Sequence, residues 1–193
     1  MIMEFTPQSI PEIFIIKPKV HRDDRGYFVE TFRHDLLYKV LGYRVDFIQD
    51  NEAKSSKGVL RGLHFQIAPK AQTKLVRVIE GTVLDVAVDI RVGSPNFGCH
   101  VAVQLSGENK KQMLIPRGFA HGYLVLSDTA TVAYKVDNYY SSTCEHGLAF
   151  DDSELGIDWL FDRKELRISK KDLEHSKLSD ARDLFEYDKH KRP

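Results

Sequence analysis

The segment Arg61-Gly62-Leu63-His64-Phe65-Gln66 sets a cation, a glycine and an imidazole inside an otherwise apolar stretch. Histidine is the side chain whose ordinary pKa suits proton transfer near neutrality, so His64 is a candidate for acid–base work. Strict strand alternation would put Arg61 and His64 on opposite faces, and Gly62 offers a place for a bulge that re-aims them. Further along, Lys74 opens the strand-like run Lys74-Leu75-Val76-Arg77-Val78. His121 lies in Pro116-Arg117-Gly118-Phe119-Ala120-His121-Gly122, and Tyr134 shares a strand face with Ala130, Val132 and Val136. Gln49-Asp50-Asn51 gathers hydrogen-bonding side chains at a strand end, and Asp23-Asp24-Arg25-Gly26-Tyr27-Phe28-Val29-Glu30 reads as a turn into a strand. Taken singly, each has a plainer reading: a core histidine with satisfied nitrogens, a solvated lysine, a core tyrosine with a bonded hydroxyl.

Other chemistries find less support. A metal-holding cupin barrel normally supplies a His-x-His pair, a nearby Glu and a distant third His. The comparable place here reads His64-Phe65-Gln66, and no other histidine restores the spacing, so neither a metal nor another cofactor is expected. Cys99 and Cys144 match no metal or nucleophile motif, and Gly-x-Ser-x-Gly, Gly-x-Gly-x-x-Gly and the P-loop are all missing.

Positioning these residues falls to short strands. Alternating segments are expected near Ile13–Val20, Gly26–Phe32, Phe47–Glu52, Val59–Gln66, Lys74–Glu80, Val83–Arg91, His100–Leu105, Lys111–Ile115, Gly122–Leu126 and Thr129–Val136, with one helix over Asp35–Leu41. In Thr82–Arg91, Leu84, Val86, Val88 and Ile90 share one face, and Asp85, Ala87 and Asp89 the other. After Asn138 the pattern weakens, and Ser169–Pro193 reads as a short helix and a charged tail. Many short strands with regular turns imply an all-β jelly roll or related closed sandwich, a single domain over 1–193 with its core about 13–137 and an extension about 138–193. The 193 residues carry 28 Lys+Arg against 28 Asp+Glu, a balance that argues against nucleic acid or an anionic membrane as partner. No apolar run nears the roughly 18 residues of a membrane span, and the amino terminus lacks the marks of a secretory signal. A cytoplasmic location is expected.

Read as an ordered set, these segments resemble the dTDP-4-dehydrorhamnose 3,5-epimerase family from about Ile15 to Asp172. The resemblance rests on Asp24-Arg25-Gly26, Phe47-Ile48-Gln49-Asp50-Asn51, Gly58 to Gln66, Lys74-Leu75-Val76-Arg77, Asp85 to Arg91, Ile115 to Gly122, Tyr134-Lys135 and Asn138-Tyr139-Tyr140. It implies a metal-independent, cupin-like jelly roll with short peripheral helices that forms homodimers, each nucleotide site completed by the partner subunit. The implied substrate is dTDP-4-keto-6-deoxy-D-glucose, whose C4 ketone acidifies C3 and C5. By the same resemblance His64 is the base oriented by Asp172, Tyr134 the proton donor and Lys74 the cation at the C4 oxygen. Arg25, Glu30, Gln49, Asp50, Asn51, Arg61, His121, Glu145 and Lys171 match substrate-contacting positions, and Tyr140 would stack on thymine. Two departures stand out: Glu52 where many members have His, and Ser176 where a proline often follows the dyad aspartate. The second leaves Asp85 as an alternative partner for His64. A one-centre epimerase or ketoisomerase on a related dTDP-4-keto sugar, and a silent nucleotide-sugar-binding cupin, remain the competing functions. The silent form would be expected to lack His64, Lys74 or Tyr134, and all are present.

Overall fold

A computed structural model of the chain describes residues 2–188. In chain order the elements are Met3–Pro7 (β1), Phe14–Pro18 (β2), Val20–Asp23 (β3), Gly26–Val29 (β4), His34–Leu41 (α1), Gln49–Ser56 (β5), Val59–Gln66 (β6) and Lys74–Glu80 (β7). There follow Thr82–Asp89 (β8), Arg91–Val92 (β9), His100–Ser106 (β10), Gln112–Ile115 (β11), Phe119–Val125 (β12), Thr129–Val136 (β13), Glu145–Gly147 (β14), Arg167–Ile168 (β15), Lys170–Leu173 (α2) and Phe185–Glu186 (β16).

Two six-stranded sheets face each other: β1-β2-β11-β7-β13-β5, and β10-β8-β12-β6-β14 with β15 added beside β6. This is the closed β sandwich that the strand pattern implies. Three elements differ from the strands expected from sequence. The expected Ile13–Val20 strand is split at Lys19, because Pro18 has no N–H to continue a ladder. The strand expected at Gly122–Leu126 begins at Phe119, which brings His121 inside it. Met3–Pro7 forms an edge strand against β2 that no periodicity announced. The tail expected over Ser169–Pro193 begins with the one-turn helix α2, and its last residues, 189–193, lie outside the described residues.

The inner face is lined by Ile15, Val76, Val78, Val83, Ala87, Met113, Phe119, Tyr123, Val125 and Val132. The outer face of the second sheet, with Leu60, Leu63, Leu84, Val86, Val88 and Leu124, is covered by Leu148, Phe150, Leu155, Trp159 and Leu178 from the carboxy-terminal stretch. Both faces of β8 are therefore buried, and its less apolar face, with Asp85, Ala87 and Asp89, points inward.

The decisive local feature lies in β6. Its ladder with β12 pairs His64 with His121 and Arg61 with Tyr123, so β6 spends one residue more than β12 over the same span. That extra residue is a bulge at Gly62-Leu63. Upstream of it Val59 faces inward and Leu60 outward; downstream, Leu63 and Phe65 join the outer cluster. Arg61 and His64 consequently share the inner face, although their spacing in sequence is odd. Gly62 sits at φ +133°, and a Cβ there would lie 2.5 Å from the Cα of Gly122. Gly62→Ala should cost about 1–3 kcal/mol of stability and lower turnover more than stability alone explains, since His64 loses its aim. Urea unfolding and kinetics on the purified variant check this; unchanged stability with full activity would contradict it.

Candidate active site

Each wall contributes different chemistry. From the second sheet, β6 supplies Arg61 and His64, β8 supplies Asp85 and β12 supplies His121. From the first, β7 supplies Lys74 and β13 supplies Tyr134, paired with Asn51 of β5. Tyr134 packs on the inner cluster, so it and His64 come from opposite sheets and both lie on the side where the two sheets face each other.

Asp172 is 4% exposed and accepts a hydrogen bond from His64 Nε2 at 2.7 Å. Its other oxygen faces the Gly62 amide, which donates at 3.4 Å. Ser169 caps α2 by accepting from the Asp172 backbone N–H at 3.1 Å, which fixes where the carboxylate emerges. Burial opposes ionisation of Asp172, but the adjoining imidazoles of His175 and His64 and the Gly62 amide outweigh it. They hold the carboxyl well below the usual carboxylate range. With Nε2 committed to Asp172, Nδ1 is the nitrogen of His64 that this pair leaves free.

Asp85 does not serve His64. It accepts from His121 Nε2 at 2.8 Å, fully buried, so the alternative dyad considered from sequence is excluded by geometry. Burial pushes His121 below its ordinary pKa despite Asp85. The result is a second histidine–carboxylate pair, directly across the ladder from His64.

Lys74 is 8% exposed and donates from Nζ to the His64 carbonyl oxygen at 3.3 Å, bridging from the first sheet to the second. Burial pulls its ammonium down to about 8, with Asp85 and Glu145 opposing the fall. Tyr134 is half-buried, and burial raises its phenol so that it keeps its proton at neutral pH.

The mouth is organised by side chains that bond one another. Gln49 Nε2 donates to Asn51 Oδ1 at 2.8 Å, and the Tyr140 backbone N–H donates to Gln49 Oε1 at 3.1 Å. Tyr140 donates its hydroxyl to Glu145 Oε2 at 2.7 Å, and Lys171 pairs with the same carboxylate. Gln66, which stands where a metal-binding barrel would carry its second His, braces this mouth: its amide donates to Lys70 O and its oxygen accepts from Ser141 N.

Three residues singled out from sequence lie apart. Asp50 pairs with Lys135. Arg25 is at the tip of the β3–β4 hairpin, paired with Asp23, and Glu30 lies near Arg33 at 3.6 Å. Conversely, the sequence reading assigned nothing to His175, which lies 3.7 Å from Asp172 Oδ1. Its i,i+3 spacing from Asp172 in a helical turn was the one available signal.

A family model described as dTDP-4-dehydrorhamnose 3,5-epimerase matches residues 7–180. The chain belongs to the dTDP-4-dehydrorhamnose 3,5-epimerase family. It is 49% identical over 179 residues to the Shigella flexneri dTDP-4-dehydrorhamnose 3,5-epimerase, covering 93% of this chain and 98% of that protein. It is 52% identical over 151 residues to that of Escherichia coli K12, covering 78% and 82%. The crystal structure of dTDP-6-deoxy-D-glucose-3,5-epimerase from Legionella pneumophila, solved with dTDP-4-keto-L-rhamnose, superposes with a TM-score of 0.92 at 46% identity, covering 96% of this chain and 99% of that one. The cupin-like β fold is that of the dTDP-4-dehydrorhamnose 3,5-epimerase family.

Lys74 can polarise an oxygen only while it is an ammonium, so turnover should decline as pH rises through about 8. Lys74→Gln should lose about 10²–10³-fold in kcat together with that alkaline limb. A limb left unchanged in the variant would assign the titration elsewhere.

Proposed function

We propose that His64 is the base, Tyr134 the acid and Lys74 the enolate-stabilising cation of a two-centre epimerisation. The activity is that of a dTDP-4-dehydrorhamnose 3,5-epimerase in dTDP-L-rhamnose biosynthesis, as in relatives of 49–52% identity matching most of the chain. What supports the residue roles most is the placement of His64 and Tyr134 on opposite walls. A base that removes a proton and returns it to the same face regenerates the starting configuration. Inversion therefore needs a second group across the sugar.

The steps balance within the site. Nδ1 of His64 takes the proton from C3 or C5, and the C4 oxygen gains the enolate charge beside the Lys74 ammonium. Asp172 stabilises the imidazolium that forms without itself accepting the proton, as in other histidine–carboxylate pairs. Tyr134 then protonates the enolate carbon from the other side. Arg61, His121, Gln49, Asn51, Glu145, Lys171 and Tyr140 surround the sugar and nucleotide, with the Tyr140 ring offered to thymine.

A homodimer belongs to the same proposal. The β3–β4 hairpin projects exposed Tyr27 and Phe28 together with Arg25, and β1 presents an open sheet edge. Arg25 and Glu30 would then complete the partner's site. No helix among the described residues is long and apolar enough to cross a membrane, and Cys99 and Cys144 are free thiols, in keeping with the proposed cytoplasmic location.

Proton NMR of dTDP-4-keto-6-deoxyglucose in deuterated water, following C3 and C5 separately, tests the roles. His64→Ala should lose at least about 10²-fold in exchange at both carbons. Tyr134→Phe should retain exchange while forming little inverted product. Doubly inverted product at the wild-type rate in Tyr134→Phe would remove the tyrosine from the mechanism, and wild-type exchange at one carbon only would indicate a one-centre epimerase.

Sedimentation should give twice the 22.2 kDa chain mass. A fully active species of single-chain mass would contradict the shared site.

A further inference from the structure

His175 Nε2 is buried and has no hydrogen-bond partner. It points at the dyad: 3.7 Å from Asp172 Oδ1, with its ring edge-on to His64 at 5.6 Å and 81°. The ring occupies a slot that only a glycine at 147 leaves open, since a Cβ there would overlap the imidazole. Gly147 in turn pairs with His64 across the β14–β6 ladder. The slot thus holds a second imidazole against the dyad, and one donor atom each from His64, Asp172 and His175 lie within 4.8 Å of one another.

At 3.7 Å the ring nitrogen lies beyond hydrogen-bond reach of Asp172, although near enough to act on its charge, and a buried ring nitrogen without a hydrogen bond is costly. Two imidazoles and an ionised carboxylate are the donor set of zinc and its neighbours. Metal–ligand bonds of about 2.0–2.1 Å around a tetrahedral centre set donor atoms roughly 3.3 Å apart. The 2.7 Å and 3.7 Å spans to Asp172 Oδ1 lie on either side of that value. Of the three side chains, His64 is the most exposed, at 29%.

We propose that His64, Asp172 and His175 form a site for one divalent transition-metal ion of the zinc class, and that filling it shuts the enzyme off. This rests on the reading of His64 as the base. In the working dyad, neutral His64 carries its proton on Nε2, bonded to Asp172, and keeps the Nδ1 lone pair for substrate. An ion bonded to Nε2 displaces the proton there and takes the electron pair left behind, and the displaced proton is taken up by the Nδ1 lone pair. The ring neither gains nor loses a proton, yet the nitrogen facing the sugar has become a donor. The ion would be a reversible inhibitor, unrelated to the metal-independent reaction.

The test titrates metal-stripped, full-length protein with Co²⁺, read by visible d–d absorption, displaces it with Zn²⁺, and assays turnover at each point. Expected are one ion per chain, turnover falling in step with occupancy, and recovery on adding EDTA. His175→Phe keeps an aromatic ring in the slot but removes the donor; His175→Gln is the second variant should the first fold poorly. Either should weaken the ion at least about tenfold. No saturable binding by the wild type, or equal affinity in the folded variants, overturns the site. Binding that depends on His175 but leaves turnover undiminished keeps the site while overturning both its blocking effect and the role of His64 as base.

Discussion

The buried Asp172 carboxylate is the point on which the rest of the site depends. One oxygen holds His64 Nε2 and the other faces the amide of Gly62, the residue that opens the β6 bulge. A single charge from a one-turn helix near the carboxy terminus thus clamps both the turned backbone and the imidazole that the turn re-aims. Removing the hydrogen-bond partner of a buried carboxylate leaves it unsatisfied, at a cost of about 1–3 kcal/mol. The same carboxylate therefore ties the fold to the proposed chemistry.

That clamp needs the carboxy-terminal stretch in place, and apolar burial puts it there. Leu148, Phe150, Leu155, Trp159 and Leu178 cover the outer face of the second sheet, with the Trp159 indole N–H bonded to Phe150 O at 2.8 Å. With the outer face buried against this cover, the inner face is free to hold Asp85, His121, His64 and Arg61, provided each finds a partner. The Asp85–His121 pair and the Lys74 bridge to the His64 carbonyl meet that requirement. The cavity is consequently polar where the chemistry is and apolar around it, which strengthens each electrostatic contact inside.

How much could be read from sequence follows from how local each signal is. His64, Lys74 and Tyr134 were visible because polar side chains interrupt apolar alternation, and the bulge was visible because Gly62 stands between residues of opposite parity. Asp85 was visible as a residue on the less apolar face of its strand. Its partner was not, since pairing with His121 is a matter of ladder register. Asp172 was found only through family resemblance: 108 residues separate it from His64, and its charged surroundings carry no periodicity that points back to β6. His175 and the slot at Gly147 were hidden for the same reason. The edge strand Met3–Pro7 is short and ends in proline, so its pairing with β2 left no pattern to read.

In the proposed mechanism Asp172 fixes one tautomer of His64, with the proton on Nε2 and a bare Nδ1 for the sugar. Nitrogen-15 NMR of histidine-labelled, metal-free protein at a pH where His64 is neutral measures this directly. His64 should show a protonated Nε2 and an unprotonated Nδ1, with that preference lost in Asp172→Asn. A neutral His64 carrying its proton on Nδ1 would contradict it.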